Sequence, residues 1–156
     1  MAEIREIEKY EWEDAMALCW RVFLEFESRV YSEEGVRNFH NFVNDRTLHR
    51  AFMNGGYPVF AAYHGSRMVG VGALRNNTHL SLLFVDKDCQ RNGIGAALID
   101  TMRQYILASG KFTEECCMTV NSSPYAVRFY HDYGFTDTEK VQYKDGIIYT
   151  PMKLYM

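Results

Sequence analysis

Hydrophobic and polar residues alternate along the chain in patterns that predict strands and helices in regular succession. Residues 3–8 alternate between apolar and polar types, which is typical of a strand with one buried face. From residue 12 to residue 27, apolar side chains recur at helical spacing and acids occupy the opposite face. Ser32 precedes two glutamates and predicts the start of a second helix, and a short helix follows over 47–53.

The next segment predicts three antiparallel strands. Residues 58–64 and 67–75 are largely apolar, and Gly65 with Ser66 forms a two-residue hairpin connection between them. Two asparagines then turn the chain into residues 79–85, which are apolar enough for a strand that is buried on both faces.

The second half of the chain continues the alternation. A long helix is predicted over 93–109 and ends at Gly110, and a buried strand follows over 115–121. Pro124 then marks the start of a short helix, because proline is favoured at the first helical position.

Two final strands complete the predicted fold. Residues 135–143 and 147–155 flank Asp145-Gly146, the strongest short hairpin signal in the chain. The element order is therefore βααβββαβαββ. It predicts an α/β (α+β) fold with a mixed, mostly antiparallel sheet and helices on both faces.

Composition and charge narrow the function. The 156 residues are 47% hydrophobic, which is enough for one core, so a single domain over 1–156 is expected. The formal net charge is −3 without a basic run, which argues against nucleic-acid binding. The charged first residues and the lack of an apolar run of about 18 residues predict a cytoplasmic protein with no membrane association.

Cysteine and histidine spacing does not indicate a metal. The four cysteines lack a C-x-x-C pair, and the five histidines lack the spacing of zinc ligands. Cys116 and Cys117 would point to opposite faces of the predicted strand, so a bridge between them is not expected. We therefore expect reduced thiols and no metal cofactor.

The segment from Gln90 to Gly95 carries the clearest chemistry. Glycines before a helix let backbone amides approach a phosphate, and the helix dipole favours the negative charge. A P-loop would require Gly-Lys-Ser/Thr, and here Gly95 is followed by two alanines. A dinucleotide fingerprint would require glycine or alanine at Leu98 and an early βαβ unit. A phosphate site of another kind is indicated.

Two motifs together resemble the GNAT superfamily of acetyl-CoA-dependent N-acetyltransferases. The first is Gln90–Gly95 after an apolar strand, which is similar to the family's Q/R-x-x-G-x-G/A turn. The second lies downstream, on the predicted helix and its flanks, and consists of Asn121, Ala126, Phe129, Tyr130, Gly134 and Phe135. Both occur on the expected elements, and the element order of the whole chain agrees.

The resemblance implies acetyl-CoA as co-substrate and an amine as acceptor. The implied cofactor site comprises Leu83, Phe84, Val85, Gln90, Arg91, Asn92, Gly93, Ile94, Gly95, Ala96, Asn121 and Tyr130. Amides from Arg91 to Ala96 would hold the pyrophosphate, and backbone groups of Leu83 and Val85 would pair with the pantetheine arm. The Leu83 amide would also polarise the thioester carbonyl.

The resemblance further implies an acid, whereas the base is less defined. Tyr130 occupies the position of the family's tyrosine acid, which protonates the departing thiolate; a buried, packed aromatic is the alternative. His79 is the candidate base, because an imidazole can accept a proton at neutral pH. A packing role at the strand end is the alternative, and some family members carry glutamate instead.

The first two helices and the last hairpin would form the acceptor wall. Acids lie there among aromatic residues: Trp20, Phe23, Glu25, Phe26, Glu27, Tyr31, Glu33, Glu34, Phe39 and Phe42. This mixture suits a small cationic amine with an apolar body, although helix cores and solvated faces would show it too. A protein or peptide N-acetyltransferase and a non-catalytic acetyl-CoA-binding module are alternatives, and a monomer and a homodimer are both open.

Overall fold

A computed structural model describes residues 2–112 and 118–155 of the chain. Within these residues, the helices and strands alternate in nearly the predicted order. They are β1 Glu3–Glu6, α1 Trp12–Phe26, α2 Glu33–Val43, α3 Arg46–Met53, β2 Val59–His64, β3 Arg67–Arg75, β4 His79–Val85, α4 Ile94–Ser109, β5 Met118–Ser122, α5 Val127–Tyr133, β6 Thr136–Asp137, β7 Gln142–Lys144 and β8 Ile147–Leu154.

The strands form one mixed sheet in the order β1-β2-β3-β4-β5-β8-β6, with β7 paired to β8. Every pairing is antiparallel except that of β4 with β5. The fold class predicted from the sequence, a mostly antiparallel sheet between layers of helices, is confirmed.

Alternation along the central strands creates a core on each face of the sheet. On one face, Phe60 and Leu74 pack with Leu98 and Met102 of α4. On the other face, Val71 and Phe84 join the core that contains most of the buried residues of α1. The two central strands β3 and β4 are therefore covered on both sides, which for β4 agrees with the prediction from its apolar composition.

A helix cap and a turn that the sequence predicts are both present in the structure. The Ser32 hydroxyl accepts a hydrogen bond from the Gly35 amide at 3.2 Å and begins α2. Asn76 and Asn77 adopt positive φ angles of 52° and 73° in the turn before β4. Asparagine tolerates this left-handed conformation better than most residues.

The predicted strand over 135–143 is wrong as a continuous element. The structure divides it into β6 and β7, and residues 136–141 between Phe135 and Gln142 are exposed. Exposed polar residues provide no buried face that could hold this stretch against β8 along its whole length. The predicted strand over 115–121 is found as Met118–Ser122, and residues 115–117 lie outside the described residues.

Within the described ranges, no helix combines the length and apolar composition that crossing a bilayer requires. The same residues contain no cluster of three or more histidine, cysteine, aspartate or glutamate side chains with the arrangement of a metal site.

Candidate active site

Strands β4 and β5 pair over only two residues and then separate. The pairs are His79 with Thr119 and Leu80 with Val120. Beyond Leu80, no strand among the described residues pairs with this edge of β4. A wedge-shaped gap thus opens in the middle of the sheet, and its walls are the later residues of β4 and β5.

A β-bulge at Ser81 lies where the gap begins. Leu74 pairs with Leu80 and Ala73 pairs with Leu82, so Ser81 is the extra residue. The bulge changes which face the alternating side chains reach: Leu80 packs in the α4 core, whereas Leu82 packs in the α1 core. The Ser81 hydroxyl is held by the Tyr57 hydroxyl at 2.8 Å.

Backbone groups of β4 face the gap at every second residue. The Asp86 amide points back toward β3 and donates to the Val69 carbonyl at 2.8 Å. The preceding carbonyl, that of Val85, points the other way and accepts from Gln90 Nε2 at 3.0 Å. Because backbone groups alternate along a strand, Leu83 has the same orientation as Val85. The Leu83 and Val85 amides therefore face the gap.

The turn after β4 exposes the amides that begin α4. Arg91 and Gly93 have φ angles of 65° and 80°, and both residues are solvent-exposed. The first intrahelical bond runs from the Ala97 amide to the Gly93 carbonyl at 2.9 Å. The amides of residues 94–96 precede it and have no acceptor within the helix. Such a row of amides at a helix N-terminus is suited to a phosphate.

Close packing explains the second glycine of the turn. A Cβ atom on Gly95 would lie 3.0 Å from Cζ of Phe129, so glycine here lets α4 approach α5 without displacing the Phe129 ring. The turn is also tied to the segment just before α5, because the Tyr125 hydroxyl donates to Gln90 Oε1 at 3.1 Å.

Asp86 anchors the base of the turn. Its carboxylate is buried and accepts from Arg21 of α1, and also from Arg67 of β3 at 3.1 Å. A buried carboxylate held by two guanidinium groups fixes the end of β4 relative to both elements. This anchor had no distinctive signal in the sequence, since aspartate is common after a strand.

A partly open cavity of about 170 Å³ lies at the gap between the separating strands. Its walls come from α1, α2, β4, β5, α5 and β8. They are Phe23, Glu27, Tyr31, Phe39, Leu80, Ser81, Leu82, Leu83, Phe84, Val120, Asn121, Ser123, Ala126, Tyr130 and Ile147. We call this space the inner cavity.

Tyr130 brings a hydroxyl to the inner cavity from α5. The ring is 5% exposed and packs edge-on against Phe129 and Phe135, each with centroids 5.2 Å apart. Its hydroxyl has no hydrogen-bond partner within residues 2–112 and 118–155. Burial raises the pKa of Tyr130, and the negative charge of Glu27 raises it further. The phenol is therefore neutral and free to donate.

Glu27 is the charged residue of the inner cavity. It follows the last residue of α1 and faces the cavity near Ser123, which follows β5. Burial raises the pKa of Glu27 to about 7, and the neighbouring Ser123 hydroxyl opposes this change. The other three acids of the predicted acceptor wall, Glu25, Glu33 and Glu34, are exposed.

His79 lies outside the inner cavity. It lines a larger, open groove of about 730 Å³ between α2, β4 and the β7–β8 hairpin, together with Phe42 and Arg75. Its Nδ1 is hydrogen-bonded to the Thr119 hydroxyl at 2.9 Å. Burial lowers the pKa of His79 to about 4, and the charge of Arg75 contributes. The imidazole is therefore neutral in neutral solution and a weak proton acceptor.

The structure brings most of the sequence-predicted residues together, in two groups. Tyr130, Asn121 and Leu83 line the inner cavity, and Gln90–Ala96 form the turn at the far end of β4. Val85 borders the same gap, whereas the Phe84 side chain belongs to the α1 core as well as the cavity wall. Ser123 was not predicted, and Glu27 was noted only as one of four acids, because neither has a sequence signal of its own.

A family comparison matches most of the chain. A model of the acetyltransferase (GNAT) domain matches residues 27–156. No curated protein sequence matches the chain significantly. The fold and the family model define an acyltransferase. The chain belongs to the GNAT acetyltransferase family.

Solved structures with this fold cover nearly the whole chain. A GCN5-related N-acetyltransferase from Rhodopseudomonas palustris has a TM-score of 0.82 at 20% identity, over 100% of this chain and 96% of that one. PaiA N-acetyltransferase from Thermoplasma acidophilum, solved with coenzyme A, has a TM-score of 0.71 at 20% identity, over 99% of both chains. YncA, a putative acetyltransferase from Salmonella typhimurium solved with acetyl-CoA, has a TM-score of 0.69 at 19% identity, over 99% of this chain and 94% of that one.

Proposed function

We propose that this protein is an N-acetyltransferase that moves the acetyl group of acetyl-CoA to a primary amine, by direct attack in a ternary complex. One observation carries the proposal above all: the gap between β4 and β5 leads to a cavity where the Tyr130 hydroxyl has no partner among the described residues. Direct attack needs both substrates at one point, and the gap with its cavity offers such a point.

The cofactor would bind along the gap and across the turn. Amides from Arg91 to Ala96 would hold the pyrophosphate, and the arm would lie beside β4 as an added strand, paired with Leu83 and Val85. The Leu83 amide would donate to the thioester carbonyl, whose oxygen gains negative charge during attack. Asn121, exposed at the opposite wall, would hold the acetyl end.

Tyr130 would act as the general acid. The amine attacks the carbonyl carbon, the C–S bond breaks, and the thiolate takes the proton of the Tyr130 hydroxyl. The raised pKa of Tyr130 keeps the phenol protonated until negative charge develops on sulfur. The aromatic rings that line the cavity would limit the access of water once both substrates are bound, which favours transfer to the amine over hydrolysis.

A small molecule is the favoured acceptor. The inner cavity of about 170 Å³ has room for only a few non-hydrogen atoms beside the acetyl group. The open groove at His79 shares Tyr31, Phe39 and Asn121 with the cavity, so it provides an entry path for the rest of the acceptor. Neutral His79 would contact the acceptor in this groove.

The proposal is tested by binding and by turnover. Calorimetry with acetyl-CoA should show 1:1 binding, and a panel of primary amines should release the free thiol of CoA with matching acetylated product. Binding without product from any amine, including peptides with free N-termini, would favour a regulatory acetyl-CoA-binding module. Absence of acetyl-CoA binding would reject the proposed function altogether.

A further inference from the structure

Among the described residues, Glu27 offers the inner cavity a half-buried carboxylate that has no cationic partner. Within the described part of the chain, no lysine, arginine or histidine nitrogen lies within 4.0 Å of Glu27, although five other acidic side chains form such pairs. The neighbouring Ser123 hydroxyl, which lowers the pKa of Glu27, is neutral and supplies no compensating charge. Burying an ionised carboxylate is costly unless a cation compensates its charge. This cavity therefore favours a cationic guest.

We propose that Glu27 binds the ammonium group of the acceptor in the inner cavity and accepts the proton that the amine loses before it attacks. This inference deepens the proposed function and depends on it. It makes Glu27 the base of the reaction, in the place first assigned to His79.

The neighbours of Glu27 restrict the acceptor to compact apolar amines. Phe23, Tyr31, Phe39 and Ile147 surround the same cavity and offer apolar contacts next to the carboxylate. A primary ammonium with an aliphatic or aromatic body would place its charge at Glu27 and its carbon atoms against these rings. The Glu27 carboxylate would repel an acceptor that carries an anionic group near its amine nitrogen.

Titratable groups around Glu27 add no positive charge. The negative charge of Glu27 helps to raise the pKa values of three neighbours, Cys19, Tyr31 and Tyr130. All three are neutral in neutral solution. Because burial brings the pKa of Glu27 to about 7, both of its protonation states are populated there, which suits a group that must take and release a proton.

The protons of the proposed cycle balance. The Glu27 carboxylate takes one proton from the ammonium, and the neutral amine forms the C–N bond as the C–S bond breaks. Tyr130 gives its proton to the thiolate and regains one from the nitrogen of the new amide. Glu27 then releases its proton to water, so each turnover yields the amide, the CoA thiol and one proton.

Glu27 and Tyr130 are also coupled by charge. The Glu27 carboxylate raises the pKa of Tyr130, so protonation of Glu27 removes that effect. The phenol therefore becomes a stronger acid only after the amine has been deprotonated. This order protects the thioester, because proton donation to sulfur is favoured only when a nucleophile is ready.

The decisive experiment compares Glu27→Gln with Glu25→Gln, which alters an exposed acid two residues earlier, in the last turn of α1. In the presence of CoA, benzylamine, phenethylamine and short n-alkylamines as hydrochlorides should raise the melting temperature of the wild type more than benzyl alcohol does. We expect Glu27→Gln to lose this excess and Glu25→Gln to keep it. An excess that survives in Glu27→Gln, or is absent from the wild type for every amine, overturns the proposal.

Turnover gives the second readout. For alkylamines, which are protonated in neutral solution, Glu27→Gln should lower kcat/KM by about 10²-fold or more. For an arylamine such as aniline, which is already neutral, the loss should be much smaller. Equal losses with both amine types would overturn the role as base. Acetyl-CoA affinity measured by calorimetry should stay unchanged in Glu27→Gln, which separates this outcome from failure of the proposed function.

Discussion

Gly35 of α2 and Gly146 of the β7–β8 turn pack backbone against backbone. A Cβ atom on Gly35 would lie 2.7 Å from the carbonyl carbon of Gly146, closer than real Cβ atoms approach. Two hydrogen bonds reinforce the contact: the Ser32 amide donates to the Gly146 carbonyl at 3.4 Å, and Asn38 Nδ2 donates to the Asp145 carbonyl at 2.9 Å. This contact joins α2 to the final hairpin beside the open groove.

Gly35→Ala should therefore separate α2 from the hairpin. We expect a loss of stability of roughly 1–3 kcal/mol from overpacking. The KM for the amine should rise while acetyl-CoA affinity is retained, because α2 and the hairpin border the acceptor groove and not the turn after β4. Thermal unfolding and kinetics check both effects. Gly56→Ala is the matched control, since a Cβ there meets only Ala51 O at 3.5 Å, and an equal effect of both substitutions would contradict this prediction.

Gly93→Val should weaken acetyl-CoA binding by at least about tenfold, a loss of about 1.4 kcal/mol. Gly93 has a φ of 80°, and a valine there would strain the turn and cover the amides that begin α4. Calorimetry measures the affinity. Gly55→Val is the control. Gly55 has nearly the same φ, 81°, and lies outside the turn between β4 and α4. It should lose stability but not affinity; unchanged affinity in Gly93→Val would remove the turn from the cofactor site.

Tyr130→Phe should lower kcat by about 10²–10⁴-fold with little change in acetyl-CoA affinity. The substitution removes the hydroxyl and keeps the ring that packs against Phe129 and Phe135. Steady-state kinetics and calorimetry distinguish the two effects. Tyr133→Phe on the same helix is the control, because its hydroxyl bonds to Asp100 away from the inner cavity. Full activity in Tyr130→Phe would assign this residue a packing role.

His79 should affect stability at acidic pH. The pKa falls from 6.5 to about 4 on folding, so between these values the unfolded chain binds a proton that the folded chain does not. Stability is therefore complete above pH 6.5 and decreases as the pH falls toward 4. Thermal unfolding of His79→Gln should show a smaller decrease in this window than the wild type. Identical pH profiles for the two proteins would show that His79 is not shielded in this way.

The same shift changes the expected pH–rate profile. A base with the ordinary histidine pKa would place the acid limb of kcat/KM near 6.5, whereas buried His79 would place it near 4. Glu27 predicts a limb near 7 instead. His79→Gln should therefore keep the wild-type acid limb, and Glu27→Gln should abolish it. A limb that moves only with the His79 substitution would restore the imidazole as the base.

Local signals in the sequence were sufficient for most of the element order and for part of the candidate site. Ser32 begins α2 through a bond to its own helix, and the turn Gln90–Gly95 leads into α4 through backbone angles that its glycines allow. The assignment of Tyr130 as candidate acid follows from its position in the second family motif, on one short helix. Each of these depends on residues within a few positions of one another, so a single sequence can indicate them.

Only the tertiary structure decided where β4 and β5 separate and which acid faces the resulting cavity. Pairing of β4 with β5 ends after Leu80, where the bulge at Ser81 begins, and residues 136–141 are exposed and separate β6 from β7. Glu27 resembles Glu25 in sequence, yet one is shielded beside Tyr130 and the other is exposed. The pKa values of Glu27 and His79 follow from that shielding. Burial is set by elements distant in the chain, so local pattern cannot determine it.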